Sequence, residues 1–444
     1  MSSHAHTDRD MPSREELVRL TSKPMPRWVT TWSAAFAIIG LIVFLIGAFT
    51  GQDRMWQAMH FNWLFFASVS QAGVIVVAVQ RITTARWSRT VVRMIEGYVA
   101  FMPVALLLLI VIMLGGKHIF PWFSGEAPIP EKRFWLNPPF FVGREIGLFL
   151  ILTVLSLWYI YKCVRLDVGL LPNDTGAAWA KGIRDRMRRG FGEERREIHS
   201  THSMQGTLAV VMCLLFNFFY LMHSWDLSMS LDMFFQSTMY GWWFFMGAWV
   251  AALASWTLIV MAWRRFLGRY DLIQDKHFHD LGKLCFAFTA FWGYLTFGQY
   301  LVIWYGNMGE ETHWMRLRLI DGWRMPTLIG VTLMFVFPFF GLLSRAAKVY
   351  LPTMIFFAAS TVLGLWIHRY IEVYPSIYGV LHDIPLGIWE LGVTAGLLGI
   401  WGFCYLAFMN AFPRMRVLLM TSPYRDEVQV PVDPHTMEPL PAHE

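Results

Sequence analysis

The sequence predicts an all-α integral membrane protein of about ten transmembrane helices with both termini on the cytoplasmic side. Three observations predict it. The 444 residues are 56% hydrophobic, with a mean hydropathy of +0.42, which is too apolar for ordinary soluble domains. Ten apolar runs are long enough to cross a hydrocarbon core of roughly 30 Å, which takes about 20 helical residues. Arginine and lysine gather in alternate connecting loops, as the positive-inside rule requires of a polytopic chain.

The runs lie near residues 28–50, 61–81, 93–116, 142–164, 204–224, 233–263, 281–307, 326–347, 351–373 and 386–411. The sixth is the longest and must tilt or protrude. The chain thus divides into a cytoplasmic N-terminal segment (1–27), a membrane domain (28–411) and a cytoplasmic tail (412–444). Spans two to five (about 61–224) and six to nine (about 233–373) overlay as two groups of four, each with tryptophans and acids in an outer loop.

Orientation follows from the basic loops. Arg9, Arg14, Arg19, Lys23 and Arg27 precede the first run, Arg81, Arg86, Arg89 and Arg93 follow the second, and Lys181 to Arg196 hold seven cations. Arg264, Arg265, Arg269 and Lys276 follow the sixth, and Arg414, Arg416 and Arg425 follow the tenth. All five segments belong on the cytoplasmic side. The basic stretch between Arg165 and Ser203 reads as a surface helix or subunit dock, and the tail from Thr421 as an extended arm. The net charge of +6 is therefore a matter of membrane orientation, not nucleic-acid binding. The N-terminus has no apolar core or small-residue cleavage site, so no cleaved signal peptide is expected.

Cys163, Cys213, Cys285 and Cys404 are solitary, and no CxxC or CxxCH occurs, so no iron–sulfur cluster or covalent haem is encoded. Haem b would need histidine pairs at matching depth, and only His223 and His368 come near that. Metal-ligand spacings, phosphate loops and nucleophile elbows are absent, so no metal site is expected. Pro103, Pro338 and Pro352 fall in or at the edge of spans, where each frees a backbone carbonyl.

Chemistry can sit in few places. In the stretch FWGYLTFGQYLVIWYGNMGEET and the turn before it, on a helical wheel, Thr289, Gly293, Thr296, Tyr300 and Asn307 fall within about 40° of one line. Such a stripe either lets a neighbouring helix pack closely or lines a proton or quinone path. Glu96, one turn into the third run, either pairs with Arg89 and Arg93 or takes up protons from the cytoplasm. Acids and histidines are denser at the outer face: Glu145, Asp226, Asp232, Glu310, Glu311, Glu372 and Asp383, with His223, His368 and His382. His368 and Glu372 stand four residues apart on one helical face, a spacing that suits proton transfer as well as a plain ion pair. Quinol oxidation releases two protons and needs such bases within hydrogen-bond reach.

Five stretches carry a family resemblance: HDLGKLCFAFTAFWGYLTFGQYLVIWYGNMGEET (279–312), SWDLSMSLDMFFQSTMYG (224–241), ARWSRTVVRMIEGYVAFMP (85–103), FWLNPPFFVGRE (134–145) and FPFFGLLSR (337–345). They resemble the ActF family of membrane subunits of bacterial alternative complex III, within the NrfD-like, polysulfide-reductase group. The resemblance implies ten helices in two four-helix bundles plus two peripheral helices, in the bacterial inner membrane. It implies a subunit of a quinol:cytochrome c, or other electron-acceptor, oxidoreductase with no redox centre of its own. Its expected partners are a sister quinol-binding NrfD-like subunit, periplasmic iron–sulfur and haem c subunits, membrane lipid and a terminal oxidase. A quinone or quinol is the expected diffusible cofactor, at residues the motifs do not specify. The implied proton path runs through Glu96, then Thr296, Tyr300 and Asn307, then Asp226, Glu310 and Glu311; the His368–Glu372 spacing adds a further candidate pair on its own ground. Gly309 departs from the pattern, which has proline before the paired glutamates. The rival reading is a structural anchor without a quinone or proton role; an independent transporter is weaker, because no paired, unwound substrate helices are evident.

Overall fold

A computed structural model describes residues 12–124, 129–172, 175–424 and 428, and all regular structure among them is helical. Ten helices are long and apolar enough to cross a membrane: Arg27–Phe49, Asp53–Ile82, Val92–Leu114, Pro138–Leu170, Glu194–Leu231, Tyr240–Leu267, Asp275–Gly306, Asp321–Gly341, Leu351–Tyr378 and Ile388–Ala411. The protein is a multi-pass membrane protein. These helices are the first to tenth spans below. Parts of the segments before the first span and after the tenth, including Arg9 and Arg425, lie outside the described residues.

Several boundaries differ from the hydropathy reading, each for a local reason. The fourth and fifth spans run well past their apolar cores, because helical hydrogen bonding continues where polar side chains meet the membrane surface. The basic stretch is accordingly divided: Lys181–Arg188 is a short separate helix, and the residues from Glu194 begin the fifth span. The sixth span starts at Tyr240, after an irregular loop in which the Asp232 carboxylate accepts from the Phe234 N–H (3.2 Å). The eighth stops at Gly341, and Ser344 caps a separate short helix, Arg345–Val349.

Pro103, Pro338 and Pro352 each sit in the first turn of an α-helical segment, whereas Pro326 and Pro375 lie inside helices. Pro103 follows a 3₁₀ turn, Gly97–Phe101, Pro338 follows a π-helical turn, Thr332–Val336, and Pro352 opens the ninth span. At a first turn the missing N–H is no loss.

The second span is the core of the molecule: 94% of its apolar window is buried, and it packs against the third, fifth, sixth, ninth and tenth spans. Burial on every side is met by an apolar run whose polar side chains find partners, Asn62 Oδ1 accepting from Trp366 Nε1 (2.9 Å) and Gln71 Nε2 donating to Ser156 Oγ (2.9 Å). Contacts close two rings, second–third–fourth–fifth and sixth–seventh–eighth–ninth. The first span packs chiefly on the tenth, through glycines: a Cβ on Gly40 would stand 2.1 Å from the Cα of Gly396. Backbones approach that closely only where neither helix carries a side chain.

Candidate functional site

The strongest candidate site lies where the sixth, seventh, eighth and ninth spans and the helix Gly309–Leu319 meet. A cavity of about 350 Å³ opens there, walled mainly by aromatic and aliphatic groups. That falls within the usual range for small-molecule sites, roughly 300–1,000 Å³. The seventh span presents Trp292, Gly293, Thr296, Gln299 and Tyr300 to it, spaced by three and four residues as one helical face demands. Gly293 makes room for the Phe335 ring, which a Cβ would meet at 2.2 Å. Phe335 itself projects from the π-helical turn, which beds on Gly364: a Cβ there would lie 2.7 Å from the Met334 nitrogen.

The polar end of the cavity is made by the ninth span. His368 Nδ1 lies 2.7 Å from Glu372 Oε1, close but off the hydrogen-bond axis, and Arg369 Nη1 donates to both Glu372 oxygens at 2.7 and 2.8 Å. Arg369 is fully buried; its Nη2 donates to the Phe244 carbonyl (2.9 Å), and its guanidinium lies 3.4 Å from the Phe244 ring centre. Arg318 closes the outer side, donating to the Trp314 and Glu372 carbonyls (2.8 and 3.0 Å) and to Ser376 Oγ (2.8 Å). Burial brings the Arg318 pKa down to about 10, so it stays a cation at neutral pH.

Aromatic contacts hold the imidazole. The His368 ring meets Trp243 edge to face at 4.4 Å and Trp292 at 5.5 Å, while Trp243 Nε1 donates to Thr296 Oγ1 (2.8 Å). Four buried polar atoms on the lining residues have no hydrogen-bond partner among the described residues: Trp292 Nε1, Gln299 Oε1, Arg318 Nε and His368 Nδ1. The result is an aromatic slot with an N–H donor, a carbonyl acceptor and an imidazole–carboxylate pair. It suits a flat, largely apolar molecule with a polar, proton-bearing group.

Of the residues singled out from sequence, Thr296, Tyr300, His368 and Glu372 line this one cavity. Asn307 lies outside it, ending the seventh span in the left-handed conformation (φ 47°). Glu310 and Glu311 occupy the first turn of the helix Gly309–Leu319, where acids complement the helix dipole; Glu310 is exposed and Glu311 half-buried. Gly309 is the first helical residue, a position that also tolerates proline, so the departure from the family pattern leaves the turn intact.

Asp226 belongs to a neighbouring cluster. It accepts from Arg144 Nε (2.7 Å) and Trp135 Nε1 (2.6 Å), beside a buried contact between His223 and Glu145. Two residues on, Ser228 Oγ bonds the Tyr240 hydroxyl (2.6 Å) and donates to Glu372 Oε2 (3.4 Å), linking this cluster to the cavity floor. Glu96 lies at the other end of the molecule, as alternating spans require. It is fully buried, accepts from Arg416 Nε (2.6 Å) and is in ion-pair contact with Arg93 (2.5 Å), which also engages Asp167. Its other cationic partner is Arg416, over three hundred residues away in sequence.

Sequence reasoning missed Trp243, Trp292, Gln299 and Arg318. Gln299 carried a usable signal, an amide inside an apolar run next to Tyr300; Arg318 stood in what read as a loop. Among the described residues no group of three or more His, Cys, Asp or Glu side chains could hold a metal ion.

Fold and site together define a ten-span, all-helical membrane protein with an acid–histidine pair facing an apolar cavity. No protein-family model matches the chain, and no curated protein matches it.

Proposed function

We propose that this chain is a membrane subunit of a quinol-oxidising respiratory complex of the alternative complex III type, and that its cavity receives the quinol head group. The observation that carries the reading is the His368–Glu372 pair at the floor of an aromatic slot. Quinol oxidation releases two electrons and two protons. The electrons leave for a redox centre on a partner subunit of the iron–sulfur class. The protons pass in succession to the imidazole, whose Nε2 makes no hydrogen bond among the described residues, with Glu372 stabilising the imidazolium. Trp292 N–H and the Gln299 carbonyl supply a donor and an acceptor for the ring oxygens.

The two closed rings of contacts support two four-helix bundles, with the first and tenth spans peripheral. Arg81, Arg184, Arg264 and Arg414 gather at the end opposite the cavity, which supports cytoplasmic termini and a cavity on the periplasmic side of a bacterial inner membrane. There it would lie next to periplasmic iron–sulfur and haem c subunits, with a sister NrfD-like subunit alongside in the membrane. Ser228, Tyr240 and Asp226 offer a continuation for protons toward that surface.

The anchor reading draws on a different observation: Glu96, Asp226 and Glu372 are each held by an arginine. Copurification and labelling separate the two. A photoreactive azido-quinone, applied to the complex in native membranes, is expected to label peptides covering 292–300 or 364–372, and affinity-purified protein is expected to carry haem c and iron–sulfur subunits. Labelling confined to other subunits would leave the anchor, and purification without redox partners would overturn both readings.

A further inference from the structure

A second cavity lies at the opposite end of the molecule, among the start of the first span and the ends of the sixth and tenth, with a volume of about 530 Å³. Its floor is apolar, formed by Val29, Ile259, Trp263, Phe266 and Leu406. Its mouth is cationic. Lys23 donates to the Phe266 carbonyl with its ammonium 4.7 Å from that ring, Arg265 lines the rim, and Arg27 stands in the chain between the lining residues Pro26 and Trp28. None of these three cations meets a carboxylate among the described residues. The acids on adjoining segments, Glu16 and Asp271, are both engaged by Arg269. Arg414 adds positive charge from behind, 5.4 Å from both the Trp263 and Phe266 rings.

Trp28, at 66% exposure, flanks the opening. An exposed indole at a span terminus sits at headgroup level, so the mouth faces phosphates and the floor faces acyl chains. An apolar slot alone would take any lipid. Cations without counter-charges select an anionic one, at about 1 kcal/mol per Lys or Arg near a membrane surface.

We propose that this cleft is a binding site for one anionic phospholipid, its acyl chain among Ile259, Trp263, Phe266 and Leu406 and its phosphate on Lys23 and Arg265. The site is independent of the quinol cavity. It ties the first span, already packed on the tenth, to the sixth through a lipid.

The test uses the full chain in detergent micelles, titrated with phosphatidylglycerol or phosphatidylcholine bearing brominated acyl chains, which quench nearby tryptophans. Phosphatidylglycerol is expected to quench at a mole fraction lower by on the order of 30-fold, the effect of two cations. In Lys23→Gln/Arg265→Gln that preference is expected to fall to near unity while retained lipid, counted by native mass spectrometry, drops. Ala262→Trp keeps the charges and fills the slot, and should abolish the selective quenching. Equal quenching by the two lipids, an unchanged preference in the double variant, or persistent selective quenching in Ala262→Trp would each overturn the proposal. Displacement of the lipid by millimolar inorganic phosphate would also overturn it, in favour of a simple anion site.

Discussion

Glu372→Gln is the substitution that best tests the cavity. In the wild type both carboxylate oxygens accept from Arg369 at 2.7 and 2.8 Å, with Glu372 1% exposed and Arg369 fully buried. Removing one charge of a buried pair strands the other, at a cost of about 3 to 5 kcal/mol. Glutamine keeps one acceptor oxygen but turns an N–H₂ toward a guanidinium, so a loss near 3 kcal/mol is expected. Activity should fall too, by about 10²- to 10⁴-fold if a proton acceptor is lost. Those two losses are confounded in the single variant. Arg369→Met/Glu372→Gln separates them, because removing both charges lifts the stranding penalty while His368 still lacks its carboxylate. The stability of the purified chain in denaturant should recover in the double variant, and quinol-dependent reduction of the acceptor by the complex should not. Recovery of turnover along with stability would refute a proton role for Glu372 and leave a structural ion pair.

Three further outcomes follow from other parts of the molecule. Gly40→Leu drives a side chain into the Gly396 backbone, so the first span should lift from the tenth, at a cost of about 1 to 3 kcal/mol; limited proteolysis between Thr50 and Asp53 should accelerate, and unchanged cleavage would show that the glycine seam is not tight. Glu96→Gln leaves Arg93 and Arg416 facing an amide, so it should destabilise the chain by about 3 kcal/mol, read by denaturant titration; a neutral result would mean that Asp167 alone neutralises both. The Asp271 carboxyl is held below its ordinary pKa by its hydrogen bond from Arg269, so the 268–274 loop is anchored above the usual carboxylate range and released as pH falls through the depressed value. Amide exchange in that loop, corrected for the intrinsic pH dependence, should rise at acid pH and stay flat in Asp271→Asn.

The number of spans was legible because membrane crossing is written locally, as contiguous apolar runs. Their ends were less so: the fifth helix continues ten residues before its predicted start, where GluArgArgGlu stretches form helix as readily as loop. The stripe on the seventh span was visible as periodicity, and the His368–Glu372 pair as a spacing. That the two face one cavity depends on how the seventh and ninth spans are turned about their axes, which side-chain packing decides and hydropathy does not record. Glu96 illustrates the same limit. Arg93 was found because it is one turn away, whereas Arg416 and Asp167 come from distant segments brought together only by the tertiary fold.

Buried polar atoms without a hydrogen-bond partner occur at both ends of the molecule, so their position decides which of them a ligand can meet. Around Glu96 the charges meet partners from three segments, yet Arg93 Nε and the Tyr159 hydroxyl have no hydrogen-bond partner among the described residues and border neither large cavity. In the cavity of the sixth to ninth spans Trp292 Nε1, Gln299 Oε1, Arg318 Nε and His368 Nδ1 are left without hydrogen-bond partners among the described residues, and each such group costs about 1 to 3 kcal/mol in a medium that offers no substitute. Only the atoms that border a cavity can have that cost removed by a bound molecule. Gln299→Met is nearly isosteric and deletes the orphan carbonyl, so it should leave the ligand-free chain as stable or more stable, while weakening a quinone analogue by about tenfold. Thermal denaturation with and without the analogue reads both. A loss of stability with unchanged binding would instead make Gln299 a packing residue and remove the reason to expect a ligand at this end.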